Sequence, residues 1–457
     1  MCEVQKKIKM KKIMYLPVLM MFFIVACSGS GDNSEQNNSV SEFKTGIVNK
    51  NVKCSKDSTI SYALYLPSNY SGDKKFPVIF SFDPHAVGSQ PVELYKDLAE
   101  NFGVILVGSN STENGMGPED IKKAGDAIYT DVISRFSIET SRIYALGFSG
   151  GAKVASLFAS AFKINTVIGC GGGIADVNAK INYDFIGIAG TRDFNFLELI
   201  SLNQNLSAKK ISNEFIMFEG KHEWPGTEVM KQVFILLDNK EMVKSTQKDE
   251  AKIKSNYSYI KSVSDSININ SEPLESYVFM QRFIQSFSGL IDPLELKSRI
   301  AEISTENLQD IQMKLNTCLV EEIKLQQDYV KAFQTENADW WKSELERVKK
   351  LEGQTSDRFK SQMYSRLISY MSIVAYSYSN NALKNKDLVN AQKFLLIYKA
   401  VDPENPDVYF FYAKLSAMKN ENEKAAMFYS QAVELWKAKK MKIQKDPLID
   451  QALEKSE

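Results

Sequence analysis

Ile143-Tyr144-Ala145-Leu146-Gly147-Phe148-Ser149-Gly150-Gly151-Ala152 decides how the first half of this 457-residue chain folds. An apolar run leads into a serine set between glycines, and a helical pattern (Ala152, Val154, Ala155, Phe158, Ala159) follows at once. The Gly-x-Ser-x-Gly spacing puts a serine hydroxyl on a tight turn between a strand and a helix. A side chain two residues to either side would strike the neighbouring strand or helix, so positions 147 and 151 need glycine. Gly150 then offers a backbone N–H at a helix start, where amide donors lack intrahelical partners and suit an oxyanion.

Around this stretch lie other apolar runs of strand length: 77–82, 103–108, 165–170, 185–189 and 214–218. Helical patterns separate most of them, at 91–102, 119–136, 152–162, 197–209 and 228–237. Strands without polar alternation, divided by helices, predict a largely parallel sheet covered on both faces. Two alternating segments, 44–48 and 59–66, read as edge strands ahead of it. The expectation is a three-layer α/β domain over 45–240. After Asp238 glycine becomes rare and Lys, Glu and Gln abundant, with long helical periodicities at 311–333 and 340–351. This predicts an all-α domain over 241–457.

A serine nucleophile needs a base, and the base needs an acid to orient it. The sequence holds only two histidines, His85 and His222. His222 follows the last predicted strand, in Gly220-Lys221-His222-Glu223-Trp224-Pro225-Gly226, and Asp193 follows the one before, in Gly190-Thr191-Arg192-Asp193. Asp193 has a second reading as a helix N-cap, in which case Glu219 or Glu223 would be the acid. His85 reads as a loop-shaping residue; Asp83 either hydrogen-bonds that loop or is a solvated turn residue, and the second is preferred. Phe148, Phe194, Phe196 and Trp224 line an aromatic substrate pocket or belong to the core; the sequence leaves both open.

Ser149, Asp193 and His222, in that chain order and each just past a strand end, follow the α/β-hydrolase order. Gly147–Gly151, Gly190–Asp193 and the Gly-x-His-x-Trp-Pro loop at Gly220–Pro225 together resemble the polyhydroxybutyrate depolymerase and feruloyl esterase-like branch of that fold. The resemblance spans about 200 residues and stops at the helical region. It implies Ser149 as nucleophile, His222 as general base and then acid, Asp193 as the residue fixing the imidazole tautomer, and a small ester as substrate. Phe148, Trp224 and Phe194 are the substrate-binding candidates. The branch's His-Gly-x-Gly oxyanion loop stands here as His85-Ala86-Val87-Gly88. With alanine in place of glycine, Ala86 or Val87 would join Gly150 as oxyanion donor.

The N-terminus carries an address. Five lysines precede an apolar run over 13–26 that ends in Ile24-Val25-Ala26-Cys27. That run is short for a membrane span and suits a secretory signal. It resembles a bacterial lipobox, which implies a signal over 1–26, lipid on Cys27, a flexible tether over 27–44, and anchoring in the cell envelope, with the serine at 28 favouring the outer membrane. In the helical half, Ala375/Tyr409, Tyr378/Tyr412 and Ala391/Ala425 recur at a spacing of 34 and resemble tetratricopeptide repeats, clearest over 372–439. Such repeats imply a protein partner.

Lys+Arg and Asp+Glu are equal at 56 each, which leaves no basic footprint for nucleic acid. Cys54, Cys170 and Cys318 have no metal-ligand spacing, so no metal is expected. Nor is a cofactor: the Gly171-Gly172-Gly173 run lacks the Lys-Thr pair of a phosphate loop. Two other functions fit the same motifs, an inactive hydrolase-fold scaffold and a serine peptidase. The first would show a missing triad residue, and none is missing. The second often carries a gating domain, for which the 29-residue step from Asp193 to His222 leaves little room.

Overall fold

The apolar runs pair into one sheet. The computed structural model describes residues 43–439 and 441–456; the signal, Cys27 and nearly all of the tether lie outside them. The strands are β1 (Val48–Lys53), β2 (Ser61–Tyr65), β3 (Phe76–Phe82), β4 (Ile105–Ser109), β5 (Ile138–Phe148), β6 (Thr166–Cys170), β7 (Asp184–Gly190) and β8 (Asn213–Phe218). Their spatial order is β1-β2-β4-β3-β5-β6-β7-β8. Only β2 runs antiparallel to its neighbours; from β4 to β8 every pair is parallel.

Five helices cover the sheet: α1 (Ser89–Phe102), α2 (Pro118–Arg135), α3 (Gly150–Ala161), α4 (Phe196–Ala208) and α5 (Thr227–Lys244). On one face Ile128 and Val132 of α2, Phe158 of α3 and Leu199 of α4 pack on Phe80, Ala145 and Val167. On the other, Val92 and Tyr95 of α1 and Met230 and Phe234 of α5 pack on Ile79, Leu146 and Ile168. Adjacent residues of β3 and β5 thus enter opposite cores, which is why these strands read as unbroken apolar runs. The result is an α/β-hydrolase sandwich. The helix expected over 228–237 continues to Lys244, because Asp238 is buried and held by Arg142 and Lys252 instead of ending the helix.

The rest of the chain is helical: α6 (Glu250–Ser266), α7 (Pro273–Ser286), α8 (Leu294–Ala301), α9 (Thr305–Thr335), α10 (Ala338–Gln354), α11 (Arg358–Lys384), α12 (Leu388–Val401), α13 (Pro406–Met418), α14 (Asn422–Ala438) and α15 (Pro447–Glu454). Side-chain caps at Asp249, Ser304, Asn337, Asp357, Asp387 and Asn405 satisfy helix starts. α6–α8 close a small core around Tyr257, Phe279 and Phe283 against Ile235 of α5. α9–α15 share a larger one built on Trp341, Leu367, Leu395, Phe411 and Trp436. Lys386 and Asn420, at equivalent turns of the hairpins α11–α12 and α13–α14, both adopt left-handed backbone, with φ of 56° and 60°. No helix among the described residues is long and apolar enough to cross a membrane.

The chain leaves β4 to begin β5 on the far side of β3. Sheets of this type place their sites at such reversals, beyond the carboxyl ends of the strands.

Candidate active site

Ser149 is the single residue between β5 and α3, and its backbone has a positive φ of 52° with ψ −121°, outside the common regions. An L-residue reaches this region only under constraint. The constraint is visible: Ser149 N–H donates to Cys170 O at 2.8 Å, and its carbonyl accepts from Ala152 N–H at 3.1 Å. A Cβ on Gly147 would fall 2.1 Å from Gly151 O, and one on Gly151 would fall 2.0 Å from Phe82 O. Both glycines therefore admit no substitute.

Asp193 stands on a turn after β7 that is bonded to the loop after β8. Thr191 N–H donates to Phe218 O at 2.8 Å and Arg192 N–H to Gly220 O at 2.9 Å. The Asp193 carboxylate is buried, and its Oδ1 accepts from Asn195 N–H at 2.8 Å. It does not cap α4: Asn195 occupies that position. The imidazole of His222 bridges the other two groups, with Nδ1 2.9 Å from Asp193 Oδ1 and Nε2 3.0 Å from Ser149 Oγ. Both distances suit proton transfer along the chain from serine to imidazole. Neither rival acid reaches the ring. Glu223 accepts from Lys221 N–H, and Glu219 binds Thr191, Arg192 and Gln362. Burial pushes the Glu219 carboxyl up, but these hydrogen bonds outweigh it and hold it below the usual carboxylate value.

The aromatic candidates divide. Phe194 lies 4.2 Å from the imidazole, centroid to centroid, and lines the cavity above Ser149. Phe148 and Trp224 do not line it. Phe148 packs against the His222 ring at 4.7 Å, and Trp224 lies tilted against Phe148 at 5.3 Å, centroid to centroid. Both belong to the core beneath α1 and α5, so they support the imidazole and do not face a substrate. Phe196 is also core, against Phe215.

The loop after β3 departs from expectation. Asp83 is buried, not solvated: its Oδ1 accepts from His85 and Val87 N–H, and its Oδ2 accepts from Trp224 Nε1 at 3.3 Å. Ala86, with φ 56°, directs its own N–H to Asp83 O at 3.3 Å. The amides of Ala86 and Val87 are therefore engaged by Asp83, while Pro84 and the ring-bearing His85 line the cavity. Asn114 stands beside Gly150. Its side-chain amide lies against Gly150, where a Cβ would come within 1.7 Å of its Oδ1, and it lines the cavity beside Ser149.

Two further features escaped the sequence. Two glycines of the 171–173 run are packing space for the site: a Cβ on Gly172 would meet Ser149 O at 2.3 Å, and one on Gly171 would meet Asp193 Oδ2 at 2.9 Å. The run itself was the signal, and its neighbours in space were missing. The second feature is a roof. A cavity of about 1400 Å³ opens over Ser149 and is closed on its far side by Ile368, Ser372, Ile373 and Tyr376 of α11, Val401 of α12, and Asp407 of α13. Burial pushes the Asp407 carboxyl up to about 6, against the opposing pull of His85. Cys54, Cys170 and Cys318 are buried free thiols.

No family model matches this sequence, and no curated protein matches it. Solved structures similar to it include an esterase from the archaeon Pyrobaculum calidifontis (11% identity, TM-score 0.37, 43% of this chain and 87% of that one). An S-formylglutathione hydrolase from Staphylococcus aureus is 12% identical, with a TM-score of 0.34, over 42% of this chain and 97% of that one. A ferulic acid esterase from the anaerobic fungus Anaeromyces mucronatus is 16% identical, with a TM-score of 0.31, over 38% and 83%. The fold stated above rests on strand order and pairing.

Proposed function

We propose that this chain is a serine hydrolase that cleaves carboxylic esters. The observation that carries the reading is the unbroken contact from Ser149 Oγ through the His222 ring to the buried Asp193 carboxylate. With Nδ1–H donated to Asp193, Nε2 is the free base; it takes the Ser149 proton as Oγ attacks the ester carbonyl carbon. Gly150 N–H, at the first position of α3, faces the developing oxyanion, and the Asn114 side-chain NH2 is the second donor. The imidazolium returns its proton to the leaving alcohol, and an acyl group remains on Ser149. Water, deprotonated by the same nitrogen, then releases the acid and restores the hydroxyl.

The cavity exceeds the roughly 300–1,000 Å³ usual for small-ligand sites, which favours an ester with a bulky acyl or alcohol part. The proposed setting is the bacterial cell envelope, with lipid on Cys27 holding the chain to a membrane. The hairpins α11–α12 and α13–α14 are proposed as diverged tetratricopeptide units with an outer face for a protein partner.

A fluorophosphonate probe on the full chain, mapped by peptide sequencing, is expected to label Ser149. A short p-nitrophenyl ester should be turned over, and Ser149→Ala should lower kcat by about 10⁴-fold or more with an unchanged unfolding midpoint. Amide substrates run beside it separate ester from peptide hydrolysis. A wild-type protein that consumes neither bond and leaves Ser149 unlabelled overturns the reading.

A further inference from the structure

The loops bearing Asp193 and His222 are gripped from outside the sandwich. Arg366 of α11 is 1% exposed, and its guanidinium holds the equally buried Glu322 of α9 through three hydrogen bonds of 3.0, 3.0 and 2.6 Å. Its remaining nitrogen, Nη1, donates to the carbonyl of Thr191, two residues before Asp193. The same guanidinium lies 4.7 Å over the ring of Phe196, whose N–H donates to Asp193 O at 2.9 Å. One helical turn earlier, Gln362 Nε2 donates to Glu219 Oε2 at 3.1 Å. Glu219 stands three residues before His222 and also accepts from Thr191 Oγ1 at 2.7 Å. Ser361 and Glu352 take the Arg192 side chain.

Gln362, Arg366, Ser369, Ile373 and Tyr376 fall at alternating steps of four and three, which sets them on one stripe of α11. The first two meet the two loops, and the last three line the cavity. We propose that α11 is a positioning element of the active site, holding the Asp193 and His222 loops in register through Arg366 and Gln362. The inference rests on the hydrolase reading for its kinetic consequence and on the contacts alone for its structural one.

The physical case is one of burial. A peptide carbonyl on an exposed turn ordinarily exchanges partners with water, and the turn moves with it. Thr191 O is instead bound to a charged fork that Glu322 fixes in place, and charge-assisted bonds of this kind are short and directional. The hydrogen bonds from the imidazole to both neighbours depend on where that turn sits. An error of about 1 Å in such an arrangement lowers rate by about a hundredfold.

The test uses the full chain. Arg366→Met with Glu322→Leu removes the grip without leaving a lone buried charge, a replacement that cores often accept. Arg366→Lys keeps Glu322 paired, so it folds even where the apolar pair does not. A lone ammonium does not span both Glu322 and Thr191 O as the planar fork does. Hydrogen–deuterium exchange over 190–195 is expected to rise about tenfold or more in both variants, with the rest of the sheet unchanged. On a short ester, kcat should fall about a hundredfold in the apolar pair and about tenfold in Arg366→Lys, with KM moving less than about threefold. In an Asp193→Ala background neither change should lower kcat further, because Arg366 acts through that residue. Unchanged exchange over 190–195 in a folded variant overturns the proposal, as does a full additional loss in the Asp193→Ala background. A wild type unreactive toward the fluorophosphonate removes the hydrolase reading instead, and the exchange result still decides the grip.

Discussion

The floor and the roof of the Ser149 cavity are held in different ways. At the floor, backbone meets backbone: Gly147, Gly151 and Gly172 each bring two chain segments closer than any side chain would permit. At the roof, α11 and the segment between α14 and α15 approach the sandwich through long side chains, with Arg366 and Gln362 of α11 reaching the loops and Lys442 reaching His85 O and Glu113. A floor of this kind tolerates no change in size. A roof of this kind tolerates changes that leave its anchors intact, and so is free to set what the cavity admits.

The comparison breaks first at Gly172. Alanine there overlaps the carbonyl of Ser149, so Gly172→Ala should cost about 3 kcal/mol in chemical denaturation and abolish probe labelling. A stable, fully labelled variant would mean that the floor relaxes more than its contacts imply. Asn114→Ala comes next. Loss of a side-chain oxyanion donor should lower kcat about a hundredfold, close to 2.7 kcal/mol, with little effect on KM or unfolding; an unchanged kcat would return the role to the loop after β3.

On the roof, Asp407 sets a pH effect whose sign follows from burial. Its folded-state value of about 6 lies above the usual 3.8, so the folded protein binds the extra proton between those limits. Stability from this group is present at low pH and is lost as pH rises through about 6. Asp407→Asn should therefore stabilise the protein by about 3 kcal/mol at pH 8 and by far less at pH 4, read from unfolding midpoints across pH. Equal effects at both values would contradict the assignment. The smallest effect sharpens the contrast. Ile373→Trp narrows the cavity from the roof side, and should cut kcat/KM for a bulky ester about tenfold while sparing a short one, a difference of about 1.4 kcal/mol. Equal losses on both esters would place Ile373 in the machinery of the floor.

What was legible in the sequence follows the same division. The order of strands and helices was readable because each parallel strand is buried on both faces and carries its own apolar run. That Ser149, Asp193 and His222 lie together was readable because each sits next to a strand end in the chain, with glycines marking the tight turns. Phe148 and Trp224 could not be separated from Phe194, since an aromatic residue beside a histidine in sequence can stand before or behind the ring. Asp83 looked like a turn residue because its donors, Trp224 Nε1 among them, lie far along the chain. The stripe from Gln362 to Tyr376 was hidden in another way: on a helix with both polar and apolar faces buried, no period marks which face meets the site.

By itself, then, the sequence determined the elements and the tight turn at Ser149, because those depend on steric exclusion and hydrophobic period within a few neighbouring residues. Only the tertiary structure decided which amides remain free beside Ser149, that the glycine run at 171–173 makes room for Ser149 and Asp193, and that the helical half roofs the cavity. Each of those depends on groups brought together from distant parts of the chain. Local pattern carries no record of such meetings, because the hydrogen bonds and close contacts that fix them join segments far apart in the chain.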